Sequence, residues 1–248
     1  LVLGMVSLGW GGGKVLSEPP KGMVLVPKGG FLMGSDRWDD DESPEQRIYL
    51  NAFYIDRHEV TNRRYKIYID DVGAIPPLDW SENNSPEGKS NYPVTGVSWF
   101  DANNFCQWAG KKLPTEKQWE KAARGEGENQ YPWGNEFKVD RANLPPKAGS
   151  RNSIGPVGSH PSGATSLGVM DLTGNVWEWV SDWFDRNYYQ NAPRRNPEGP
   201  VKGHKKALRG GSFGNNASVM RIAGRSWAHN TRVSRRGFRC ALDGPSSP

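Results

Sequence analysis

From Gly125 to the C-terminus the chain has no stretch in which apolar residues recur at helical spacing, so about half of its 248 residues must fold without helices. That half is punctuated instead by short aromatic and glycine motifs: YPWGN at 131–135, TGNVWEW at 173–179, RGGS at 209–212 and GFR at 237–239. An irregular remainder of this length inside one domain has to be tied down by aromatic packing, hydrogen bonds, a disulfide or a metal. The 30 Gly, 19 Pro and 11 Trp fit a loop-rich fold cored by tryptophans. No apolar run reaches the roughly 18 residues of a membrane-spanning helix. Glycine and proline interrupt the sequence too often for coiled coils or bundles, and aromatic segments throughout argue against disorder.

The first half carries three helix signatures. Thr61 is placed to cap a helix with Tyr65, Tyr68, Ile69 and Val72 on one face, stopped at Gly73. Ser98 caps a second whose inward face is Ala102, Phe105, Cys106 and Ala109. Thr115 with Gln118 forms a capping box for a third, carrying Trp119, Ala122 and Ala123 and ending before Gly125. Residues 23–35 read as a hairpin turning at Lys28-Gly29-Gly30, and residues 48–60 as a further strand. The expectation is one α+β domain at residues 22–243, with two or three helices against a small antiparallel sheet and little regular secondary structure beyond them. Residues 1–21 read as an N-terminal arm or signal-peptide remnant able to touch a membrane, and 244–248 as a tail.

Lys and Arg outnumber Asp and Glu by 32 to 27, a net charge of +5, and no acid lies between Glu198 and Asp243. With glycine motifs in the same window, several of its arginines are expected to be buried hydrogen-bond hubs, and a nucleic-acid surface is the weaker account. The acids of 36–45 read as a solvated loop. The two cysteines, Cys106 and Cys240, are too few for a disulfide framework or a four-thiolate zinc site, but leave room for a single long-range bridge. The four histidines, His58, His160, His204 and His229, stand singly.

Four segments in order, VSWFDANNFCQWAGKKLPTEKQWE (97–120), YPWGN, GVMDLTGNVWEWVSDW (168–183) and LRGGSF followed by GFRCA (208–241), resemble the formylglycine-generating enzymes, or sulfatase-modifying factors. MVLVPKGGFLMGS (23–35) and RHEVTNRRY (57–65) add to the resemblance, which covers about residues 22–243. It implies a variant of the C-type-lectin-like fold. It also implies a structural disulfide between Cys106 and Cys240, with Ala123 and Ile222 at the places of a second bridge. Asp171, Gly174, Val176 and Glu178 fall where the family binds Ca²⁺, which suits hard oxygen donors; read without the family, the same acids simply cap turns between tryptophans. A second calcium site would use Asn143 and the Leu144 carbonyl, its acidic partner falling near Gly149 to Arg151.

The resemblance does not carry the family's oxidase chemistry across. Its best-known members oxidise a substrate cysteine using copper held by two cysteines just after RGGS, and here FGNNASVMRIAGR (213–225) has none, with Asn216 and Ala217 among the residues in their place. Copper(I) needs soft sulfur ligands, so no copper is expected. The histidine-bound iron of other members comes with an HxxxHxE element that this chain lacks. The expected function is therefore a non-catalytic binding or accessory subunit of an envelope complex, exported to the periplasm or beyond, with a protein partner. The contact residues would be Asn215, Asn216, Trp227, His229, Arg232, Arg235 and Arg236. The alternatives are a formylglycine-type oxidoreductase and a surface-displayed, lectin-like receptor-binding protein.

Overall fold

A computed structural model describes residues 18–81, 83–125, 127–144 and 154–245. Most of the expected N-terminal arm, the last three residues, and Gly149 to Arg151 therefore lie outside the described residues. Helices α1 (Asn62–Val72), α2 (Trp99–Trp108) and α3 (Glu116–Arg124) start where their caps place them. The Thr61 hydroxyl accepts from Arg64 N–H, and both expected side chains of the α3 capping box engage. Gly73 ends α1 at φ 67°, a left-handed conformation that a β-carbon would strain. Val72 differs from expectation: it is half exposed at the end of α1, while Tyr65, Tyr68 and Ile69 are buried.

The expected hairpin does not form. β1 (Met23–Val26) pairs antiparallel with β4 (Phe53–Asp56), whereas β2 (Gly29–Met33) pairs with β3 (Gln46–Leu50). A two-residue turn would begin at Pro27, whose ring forbids the positive φ that the hairpin turns require there, and Gly29 and Gly30 serve as strand residues instead. The strand expected over 48–60 is likewise divided, breaking at Asn51 between β3 and β4.

Among the described residues after Gly125, the strands are β5 (Trp177–Trp183), β6 (Lys206–Arg209), β7 (Arg225–Ala228), β8 (Arg236–Phe238) and β9 (Ala241–Asp243), with short 3-10 turns before and after β5. Three sheets result, ordered β1-β4-β9, β2-β3 and β7-β6-β5-β8, and β5 meets β8 in parallel. One apolar core lies between α3 and strands β1 to β4 around Trp119, and holds both Ala123 and Ile222. A second lies under α1 and α2 around Trp179, Phe105 and Phe238. Cys106 on α2 is joined to Cys240 between β8 and β9, 134 residues apart, which staples the second core to the C-terminal strands.

Candidate functional site

The segment after β6 is held by its ends. Arg209, fully buried, bonds Glu120 on α3 and donates to the Ala223 and Gly224 carbonyls at 2.8 and 2.6 Å, closing the loop of residues 210–224 onto the sheet. Gly211 has φ 75°, and a β-carbon there would lie 2.8 Å from Met220 Cγ, so only glycine lets the chain turn at this point. Asn215 Oδ1 then accepts both the Ser212 N–H and its hydroxyl.

Beside this loop is a groove of about 310 Å³ whose apolar lining includes Trp80, Tyr92, Pro93 and Phe213. Its members come from separate elements. Asn62, first residue of α1, accepts the Trp80 indole N–H at 3.2 Å and donates to the Lys89 carbonyl at 2.9 Å, fixing the loop of residues 73–97. Asp79 accepts hydroxyls from Thr95 at 2.8 Å and Ser234 at 2.6 Å. Arg235 lays its guanidinium 4.8 Å from the centre of the Phe213 ring, and Lys89 Nζ lies 5.7 Å from that of Tyr92. An aromatic floor with two exposed cations at its edge, and its one acid already hydrogen-bonded, suits a ligand with apolar and anionic groups.

The Trp-rich turn behind the groove is organised by ion pairing. Glu178, buried on β5, accepts from Arg239 at 2.6 and 2.7 Å and from the Trp119 indole at 3.0 Å. Asp171 accepts the Gly158 N–H at 2.7 Å, and Gly174 N–H donates to Gly210. Both acids expected as calcium ligands thus also accept hydrogen bonds within the domain, Glu178 from Arg239 and Trp119 and Asp171 from Gly158. At the expected second site, Asn143 is pinned to Asn175 through both backbone and side chain, and Asn175 in turn donates to Glu59.

Glu59 has no counterpart in the expected site, although it stands in the RHEV segment. Burial, then the nearby Asp171 and Glu178, push its carboxyl well above the ordinary 4.5. A raised folded-state pKa favours the protonated fold, so this contribution is complete below about pH 4.5 and is lost as pH rises. Glu59→Gln, which keeps an acceptor for Asn175, is expected to raise the melting temperature at pH 8 and to match the parent near pH 4; equal pH slopes in thermal melts would contradict this.

Of the seven contact residues expected from sequence, only Arg235 lines the groove. Asn215 and Asn216 brace their own loop, the latter accepting from the Ser218 hydroxyl at 2.6 Å. Arg232 forms a two-pronged pair with Asp101 and donates to the Pro76 carbonyl. Arg236 stacks on Trp179. Trp227 is 44% exposed on β7 beside Lys205 and Phe184, and His229 is exposed just beyond it, so neither belongs to the groove. Arg209, Arg221 and Arg239 are indeed buried hubs. The acidic loop is not wholly solvated: Glu42 is fully buried against Arg221, at 2.6 and 2.8 Å. The chain's two cysteines are both in the disulfide, which leaves no thiol beside the loop of residues 210–224.

Compared with known families, residues 14–244 match the sulfatase-modifying factor enzyme 1-like domain. The chain belongs to this family. The sulfatase-modifying-factor domain has a formylglycine-generating enzyme of Thermomonospora curvata as a relative, 31% identical over 91% of this chain and 95% of that enzyme. It is also 34% identical to the serine/threonine-protein kinase pkn1 of Chlamydia caviae over 88% of this chain, but spans only 37% of the kinase's length. Among solved structures, PvdO from Pseudomonas aeruginosa superposes with a TM-score of 0.76 at 26% identity, covering 89% of this chain and 94% of PvdO. The fold is thus the formylglycine-generating-enzyme variant of the C-type-lectin-like fold, and the domain's RGGS and GFR elements flank the groove segment just described.

Proposed function

We propose that this domain is a non-catalytic recognition or accessory subunit of an envelope protein complex, taking a segment of a partner protein into the groove between Trp80, Tyr92, Phe213 and Arg235. The observation that carries this reading is a groove held by hydrogen bonds from separate elements, in a chain whose only two cysteines, the thiolates that copper(I) would need, are bonded to each other. A disulfide is maintained in an oxidising compartment, which supports export. Similarity to a formylglycine-generating enzyme over nearly the whole chain favours a second reading, an oxidoreductase of that type.

Turnover separates the two. Incubated with copper, reductant and a sulfatase-type cysteine peptide, the purified protein is expected to give no formylglycine above background, and product would overturn the non-catalytic reading. Affinity purification from the native host is expected to recover a partner that is lost with Trp80→Ala or Arg235→Ala. A lone monomer, or associations unchanged in both variants, would overturn the recognition reading.

A further inference from the structure

A second pocket, of about 180 Å³, opens where the acidic loop meets the end of α3, and neither the groove nor the Trp-rich turn shares its lining. Trp38 stands at this pocket, 49% exposed. Its ring is not a loose surface group: the Arg221 guanidinium lies 4.5 Å from the ring centre, and that guanidinium is fixed by Glu42 and by the Ser218 carbonyl at 2.6 Å. A buried ion pair therefore holds an indole in place with much of its surface open to solvent. Among the described residues, no other ring or cation is stacked on it.

Part of the polar lining is left unused. Asn129 and Gln130 are half-buried, and their side chains make no hydrogen bond to any described residue; the same is true of Arg37 and Glu45 at the edge. Charge is balanced. Arg124 is paired with Glu120, Arg221 with Glu42 and Glu128 with Arg47, which leaves Arg37 opposed by Glu45. A site with neutralised charge does not select an anion. It offers amide donors and acceptors, one guanidinium, one carboxylate and a rigid aromatic face, in a space the size of one sugar ring. The C–H face of a pyranose carries slight positive charge and is attracted to the negative face of an indole, while its hydroxyls need both donors and acceptors at the edge.

We propose that this pocket binds a single neutral sugar unit, stacked on Trp38 with its hydroxyls on Asn129, Gln130, Arg37 and Glu45. The test is saturation-transfer NMR on the full chain with methyl glycosides of common hexoses and N-acetylhexosamines, and with phosphate and citrate as anion probes. At least one neutral glycoside is expected to bind saturably, with the strongest transfer to ring protons of one face. Trp38→Ala is expected to weaken binding tenfold or more, and Gln130→Ala, whose side chain makes no hydrogen bond to any described residue, to weaken it several-fold. Arg235→Ala in the groove should leave it unchanged. The proposal is overturned if no glycoside saturates, if only the anions bind, or if both Trp38→Ala and Gln130→Ala retain full affinity. Circular dichroism of each variant separates lost binding from lost fold.

Discussion

Replacing Arg239 with methionine is expected to destabilise the domain by about 3–5 kcal/mol, because it strands a buried carboxylate rather than removing a balanced pair. Glu178 would lose both short bonds to the guanidinium, in a site that already holds Glu59 and Asp171. The carbonyls of Asp56, Arg57 and Met170 would each lose a donor at the same time. Urea titration is the measurement, read as a fall in midpoint at unchanged slope. The double variant Arg239→Met with Glu178→Met is expected to recover much of the loss, since two apolar residues can replace a buried pair with little penalty. A loss below about 1 kcal/mol in the single variant would show that the guanidinium is not the counter-charge of this cluster.

Removal of the Cys106–Cys240 bridge has the second large effect. The bond closes a loop over a separation of 134 residues, which in the chain-entropy treatment is worth about 5 kcal/mol through the unfolded state. Cys106→Ala with Cys240→Ala is expected to lose about 4–5 kcal/mol in the same titration, and to loosen α2 before α3 in hydrogen exchange, because only α2 carries the bond. A double variant as stable as the parent, or one in which α3 exchanges first, would contradict this account.

What the sequence discloses about this fold divides along the range of the interactions. All three helices are legible because their information is local: a hydroxyl at the cap, in α2 and α3 an aspartate or glutamine three residues on, and apolar residues at a repeat of three and four. The pairing of β1 with β4 and of β2 with β3 is not local, and alternation in Met23 to Met33 says only that strands exist, not which neighbours they choose. The cysteine pairing could be expected only because a family resemblance supplied it; spacing alone left it open. The groove was half legible. Arg235 lies between two recognisable motifs, but Asp79, Trp80 and Tyr92 belong to a proline- and asparagine-rich loop with no periodicity, and their place beside Phe213 is set by Asn62 and Ser234. Glu59 falls in the same class: the GFR motif marks Arg239 as one of the arginines expected to be buried, but not the carboxylates that gather around it.

The sheet that joins the two ends of the domain also decides how it would respond to force. β1 and β9 flank β4 on either side, both antiparallel to it, with Met23 opposite Asp56 and Asp243 opposite Phe53. Tension applied through the chain ends would therefore pull β1 and β9 in opposite senses along the axis of β4, across hydrogen bonds that lie perpendicular to the strands. Those bonds would be sheared together rather than opened one at a time from an edge, so a domain held at both ends would resist extension as a clamp.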